Sequence, residues 1–353
     1  MENRLFRWLC VSQFAANVAD GMSPVILSLL TLATGHRSML GTLMAVDGVC
    51  FVGGLAMGGR LGHRGLANRN LCWAHALRAG GVVPVAVALA AHRGGTIGML
   101  VLFAVASSGT AGASQVLSTM RISELFYDSA RASANGLRAA EQNLAFGLAP
   151  LLTSAGVSDS GFPLLALWWL VAVVAMATML GLWPSGGFAP NRRSEAARPG
   201  RPLEVIRSPF LILLLLQGAL LILAARGPSK VLSLLYLNDL RAYRLLALLS
   251  GAQFASAIAG SLFASKFVHR VTMRLYLVCA MGCAAPLAGV AAQVPPLVLL
   301  ATFALSGASY TAYLVAWSTT AQNMTDAAGL GAVLSAQGVI WWAADPLGLF
   351  IVG

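Results

Sequence analysis

Apolar residues run along this chain in blocks of about twenty, separated by short breaks rich in Arg, Gly and Pro. Such blocks match the roughly 20 residues that an α-helix needs to cross a bilayer. They predict eleven membrane-spanning helices, at about 6–33, 38–58, 71–91, 96–119, 133–155, 161–183, 209–236, 244–264, 274–292, 296–318 and 327–351. Spanning β-strands would instead alternate polar and apolar positions over about ten residues, so the pattern reads as an all-α polytopic membrane protein. The opening "MENRLFRWLC" has the cationic flank of a signal peptide, but the apolar stretch behind it is too long for one. It reads as an uncleaved first helix.

One polar stretch is long. "PSGGFAPNRRSEAARPGRPLEVIRS" (184–208) predicts a linker between an N-terminal half of six spans (1–183) and a C-terminal half of five (209–353). The two halves repeat one another. "ADGMSPVILSLL" (19–30) aligns without a gap, 206 residues later, with "ARGPSKVLSLLY" (225–236). Ala19, Gly21, Ser23, Val25 and Leu29 match Ala225, Gly227, Ser229, Val231 and Leu235, while Asp20 falls on the oppositely charged Arg226. At the same offset "GRLGHR" (59–64) faces "SKFVHR" (265–270), Gly54 faces Gly260 and Asp47 faces Gln253. At an offset of 196, Glu141 falls on Gln337 and Pro150 on Pro346. This is the expectation for a parallel repeat of six spans about an axis along the membrane normal. Continuing the register places a twelfth span past residue 353.

Composition agrees with the membrane reading: 58% of the 353 residues are hydrophobic and 10% charged, against about 25% charged in soluble domains. The net charge of +11 would suit nucleic acid, but its distribution says otherwise. With the N-terminus inside, sixteen Lys and Arg residues, Arg60, Arg64, Arg121 and Arg131 among them, lie at cytoplasmic span ends or loops. Only Arg37, Arg93, Arg241 and Arg244 lie on the other side. That is the positive-inside bias of a cell-membrane protein. The five cysteines sit in or beside apolar spans with no histidine at metal spacing and read as packing residues; His75 and His92 likewise lie apart. No Gly-Lys-Ser/Thr phosphate loop is present, nor the interfacial His/Asp/Glu cluster of a membrane enzyme.

Six plus six spans, a central cytoplasmic linker and a short basic loop after the second span resemble the major facilitator superfamily. "GGRLGHRGLANR" (58–69) is similar to that family's loop signature, Gly-x-Leu-Ala-Asp-Arg-x-Gly-Arg-Arg/Lys. Gly59, Leu61, Gly62, Arg64 and Arg69 fit, and His63 stands in the place of Asp. "LATGHRSMLGTLMAV" (32–46) and "SELFYDSARASANGLRAAEQNLAFGLAPLL" (123–152) resemble the drug-exporter branches. Their antiporter signature in span five survives as Pro150 with Ala145, Ala149 and Ser154, and span four lacks the arginine common in proton antiporters. The resemblance implies two halves rocking around a central site, proton-coupled export of a small amphipathic molecule, a monomer, and no cofactor or metal. It gives Gly59, Leu61, His63 and Arg64 a role in holding one conformation. The implied partners are the solute, protons and the lipid bilayer, with no nucleic acid.

Charges inside a span cost roughly 2.5–3.5 kcal/mol on insertion scales and so usually face a cavity or a partner. Asp20 shares a helical face with Gln13 and Asn17, and Arg226 one with Ser229 and Lys230. In the family's fold the first and seventh helices face one another, so Asp20 is expected opposite Arg226. The pair reads either as a proton switch or as a static ion pair, with Asn17 and Gln13 satisfying the carboxylate. Glu141 is a second proton-coupling candidate, or the local partner of Arg138; Asp47 divides evenly between function and structure. Asp345 and the stripe Ser306, Tyr310, Tyr313, Trp317 are solute-wall candidates or helix packing. Arg226 and Lys230, adjacent at i, i+4, leave open an anionic solute, and a transport-inactive sensor or scaffold is a third reading.

Overall fold

The computed structural model describes residues 2–33, 39–62, 67–90, 97–126, 128–155, 162–180, 208–226, 228–229, 232, 244–267, 273–325 and 327–352. They are helical almost throughout, with no strand among them. In chain order the helices are α1 (Glu2–Ala33), α2 (Leu40–Gly62), α3 (Ala67–Gly81), α4 (Val83–Ala90), α5 (Ile97–Ala104), α6 (Thr110–Leu125), α7 (Asp128–Ala155) and α8 (Phe162–Leu180). α9 (Pro209–Leu221), α10 (Arg244–Phe267), α11 (Met273–Ala291), α12 (Pro296–Met324) and α13 (Ala327–Val352) follow. A π turn at Val105–Gly109 joins α5 to α6, and another at Ile222–Arg226 extends α9. α3 and α4 form one span broken after Gly80 and Gly81, so the eleven expected spans are all present. The 184–208 linker lies outside the described residues except for Ser208. Five stretches, Ile97–Leu125 and Pro296–Met324 the longest, are each apolar and long enough to cross a membrane. Their outward side chains are apolar too: Leu297 is 81% exposed and Met281 76%.

The chain divides into two compact units. Unit 1 comprises Met1–Leu125, Ala145–Pro199 and Leu330–Ser335. There α1 packs on α8, α2 on α6, and α3 on both α6 and α8. Met22, Ile26, Leu27, Phe103 and Trp168 fill its core. The Trp168 ring lies 5.2 Å from that of Phe103, and its Nε1 donates to Ala19 O (2.8 Å) and Ser23 Oγ (2.9 Å). Helices in lipid gain little from apolar burial, so close van der Waals approach holds them together. Gly54 supplies it here: a Cβ at this position would run into the Gly109 carbonyl and lie 3.1 Å from Ala113 N.

Unit 2 comprises Phe126–Leu144, Gly200–Gly329 and Ala336–Gly353. α12 packs on α10 and α11. A Cβ at Gly260 would meet the Ala308 backbone at 2.5–2.9 Å. Gly54 and Gly260, matched by the 206-residue offset, thus do the same work: each lets the second span of its half touch the backbone of the fourth. Tyr276, Tyr313, Trp317 and Trp341 form a chain of edge-on and tilted rings with centroids 5.4–5.7 Å apart. α11 ends in a Schellman cap, with Gln293 N–H bonded to Val290 O (3.0 Å) and Val294 N–H to Gly289 O (3.1 Å). The left-handed cap position, φ 50°, is occupied by Gln293 rather than glycine.

Candidate functional site

The polar face of α1 meets α3 in unit 1. His75 and Arg78, one turn apart on α3, oppose Gln13 and Asp20 on α1. His75 Nε2 lies 3.4 Å from Ser12 Oγ and 3.3 Å from Gln13 Nε2. Ser12 donates its hydroxyl to Ala175 O at 2.8 Å, so towards His75 it can only accept. Arg78 is wholly buried. Its Nε donates to Thr110 Oγ1 (3.1 Å), Nη1 to Ala16 O (3.3 Å), and Nη2 to Ser114 Oγ and Asp20 Oδ2 (3.4 Å each). Nη2 also lies 3.1 Å from Asp20 Oδ1, completing an ion pair. That approach is off the hydrogen-bonding direction, and the buried Oδ1 accepts no hydrogen bond.

The π turn at Val105–Gly109 brings a second carboxylate into the same cluster. A π turn widens the helix by one residue and re-aims the side chains around it. Ser108, within the turn, donates to Asp47 Oδ1 on α2. Thr110, just after it, receives Arg78. Asp47 is half-buried. The cluster therefore holds two carboxylates and, among the described residues, one guanidinium.

In unit 2, Arg226 closes the π turn after α9. Its guanidinium carbon stands 3.9 Å from the centroid of the Tyr310 ring on α12. Ser229 is buried and donates to Arg226 O (2.9 Å), bracing the backbone. Tyr313, one turn beyond Tyr310, points into the core and donates to Leu214 O at 3.2 Å. The first half of α7 is tied to α12. Asn135 Nδ2 donates to Thr319 Oγ1 (3.0 Å) and Gln322 Oε1 (2.7 Å), and Arg131 Nη1 to Gln322 O (2.9 Å) and Asn323 Oδ1 (2.8 Å). Glu141, half-buried, follows on this stretch, before Asn143, which donates to Thr311 Oγ1 at 3.4 Å.

Several expectations change. The ion-pair partner of Asp20 is Arg78, not Arg226. The missing span-four arginine has a counterpart on span three, whose side chain reaches Thr110 and Ser114 on span four. Gln13, Ser229 and Tyr313 sit in the protein interior with their polar groups engaged, and Trp317 is fully buried against Trp341. Asn17 is half-buried beside the cluster, and Gly59, with Leu61 close behind, is a close-packing point where a Cβ would strike Ser335. His63, Arg64 and Lys230 lie outside the described residues, as does the side chain of Asp345. Arg78 was available to a closer reading. The sixteen and four flanking basic residues leave three of the 23, Arg78, Arg226 and Lys230, inside spans.

The repeated helical halves, the small-residue contacts and the charges held inside spans are those of a polytopic membrane protein. The family follows from comparison. The sequence matches the model of the Major Facilitator Superfamily over residues 9–349, and the chain belongs to that family. No curated protein matches it closely. Solved structures share the fold at low identity. A bacterial homologue of the iron transporter ferroportin in an outward-facing state has a TM-score of 0.75 at 14% identity, covering 98% of this chain and 91% of its own. The proton:xylose symporter XylE has 0.71 at 15%, covering 99% and 89%. The human organic anion transporter MFSD10 has 0.71 at 15%, covering 99% and 92%.

Proposed function

We propose that this chain is a proton-coupled secondary transporter of a small amphipathic solute, with Asp20 and Asp47 as the pair that holds the coupling proton. The observation that carries this is the charge count: among the described residues, the partly buried carboxylates of Asp20 and Asp47 share a cluster with one guanidinium. Arg78 balances one of them. An isolated charge in a low-dielectric interior costs so much that the group is neutralised instead, and a proton does this for the second carboxylate. Like charges sharing a site titrate as a pair, so the proton belongs to both. Arg78, anchored by Thr110, Ala16 and Ser114, stays beside Asp20. One charge moved across the membrane is worth about 2.3 kcal/mol per 100 mV, enough to drive solute against a gradient.

Export, a cytoplasmic N-terminus, the cell membrane and a monomeric state complete the reading, supported by the drug-exporter resemblance and the positive-inside bias. Glu141 is a third carboxylate within a span and belongs in the same test. The test uses full-length protein in vesicles enclosing a pH-sensitive dye. Solute-driven proton movement is expected in the wild type, lost in Asp20→Asn and Asp47→Asn, and kept in Glu141→Gln. Unchanged coupling in both Asp variants would refute the assignment. A second reading, an anionic solute, is favoured by Arg226.

A further inference from the structure

Arg226 is a cation inside the membrane whose charge nothing described answers. Among the described residues, no carboxylate lies within ion-pair distance of it and no group accepts a hydrogen bond from its guanidinium; its one partner is the ring of Tyr310 at 3.9 Å. A cation–π contact contributes about 0.5–2 kcal/mol, against the roughly 2.5–3.5 kcal/mol that an intramembrane arginine costs. Arg78 shows what full satisfaction looks like in this protein: a carboxylate, two hydroxyls and a backbone carbonyl around one guanidinium. Arg226 is only half-buried.

The local backbone fixes this arrangement. The π turn at Ile222–Arg226 sets the direction of the side chain, and the Ser229 hydroxyl holds the Arg226 carbonyl. The phenol ring under the guanidinium carbon limits its movement, as a preorganised donor requires. Three residues further along the same helix, Tyr313 is buried and packed against Tyr276 and Trp341.

We infer that Arg226, stacked on Tyr310, is an anion-recognition subsite that selects solutes carrying a carboxylate or phosphate on an apolar or aromatic body. The inference rests on the transporter reading but not on its proton site. An anion answers the open charge with bidentate hydrogen bonds, and Arg presents the fork geometry for carboxylate and phosphate alike. The Tyr310 ring beside the guanidinium suits the apolar body next to the charged group.

The test measures binding by full-length protein in detergent, read as the ligand-induced shift in thermal unfolding followed by tryptophan fluorescence. The probes are benzoate, 1-naphthoate and phenyl phosphate, each against a cation of the same size such as 1-naphthylmethylammonium. Wild type is expected to be stabilised by at least one anion and by none of the cations. Arg226→Gln is expected to lose roughly 10- to 100-fold in affinity, the worth of charge-assisted hydrogen bonds. Arg226→Lys should fall between, and Tyr310→Phe, which keeps the ring, should stay near wild type while Tyr310→Leu weakens binding. Each variant is first shown to elute and unfold as the wild type does. Asp47→Asn runs alongside in the vesicle assay. Anion binding retained in Asp47→Asn but lost in Arg226→Gln supports the subsite even if the proton assignment fails. Equal binding of anions and cations, equal affinity in Arg226→Gln, or no anion bound by the folded wild type would overturn it.

Discussion

Removing Arg78 should cost this protein more than removing the carboxylate it pairs with. In Arg78→Met, Asp20 loses its one hydrogen-bond donor among the described residues, whereas in Asp20→Asn the guanidinium keeps Thr110, Ala16 and Ser114. At the observed 3.1 Å, Coulomb's law with an effective dielectric constant near 20 gives about 5 kcal/mol for the pair. Breaking a buried pair from one side typically costs about 3–5 kcal/mol. The expectation is therefore about 3–5 kcal/mol for Arg78→Met, and less for Asp20→Asn, whose amide oxygen still accepts from the guanidinium. The double variant, which strands neither charge, should recover about 2 kcal/mol of the sum. The assay is reversible unfolding in mixed micelles at rising detergent denaturant, read from tryptophan fluorescence in all four proteins. Additivity within about 0.5 kcal/mol, or an Arg78→Met protein as stable as wild type, would mean the pair is not coupled. The charge count behind the proton assignment would then fall with it.

Neighbouring glycines should behave oppositely. Gly53→Ala meets nothing within 4 Å and should be neutral or stabilising by up to about 1 kcal/mol, while Gly54→Ala forces α2 off α6 and should leave little folded protein by size-exclusion chromatography. Gly260→Ala, at the repeat-related position, should fail in the same assay. Asn135→Leu removes hydrogen bonds to Thr319 and Gln322 and should cost about 0.6–1.7 kcal/mol, the range for polar contacts between helices in membranes, in the same micelle titration. Gln293→Gly relieves the left-handed cap, φ 50°. It should raise thermal stability by about 0.5–1 kcal/mol, the αL penalty less the greater chain entropy of glycine.

How much of this was legible in the sequence depends on the range of each interaction. The eleven spans follow from local apolarity, and the repeat from matched residues at fixed offsets, so both could be read directly. Gly54 and Gly260 could even be paired, though that each faces a backbone carbonyl could not. The partner of Asp20 was misread because the duplicated helix offered an opposite charge in the matching slot. Arg78 lies 58 residues away, and only the rotation of α3 about its axis turns it inward. Tyr313 and Tyr310 share a stripe by spacing, but one turn of helix separates a core ring from a half-exposed one. No periodicity records where the neighbouring helix stops covering the face. The π turns carried no sequence signal either: "VASSG" and "ILAAR" read as unbroken helix.

The duplicated slot also explains why the two halves are not interchangeable. Both carry an ionisable residue at the same register of their first helix, Asp20 in one and Arg226 in the other. In unit 1 the charge is answered internally by Arg78, and the further carboxylate, Asp47, needs only a proton. In unit 2 the corresponding charge rests on a ring and lacks a counter-ion among the described residues. A lone cation inside a membrane is tolerated where a ligand shares its cost, and a surplus carboxylate where a proton does. Gene duplication followed by opposite substitutions at this register would divide the labour, with proton chemistry in unit 1 and anion recognition in unit 2. Exchanging the charges, with Asp20→Arg and Arg226→Asp in one chain, should then disable both functions. Unit 1 would set two guanidinium groups side by side, and unit 2 would offer an anion only repulsion.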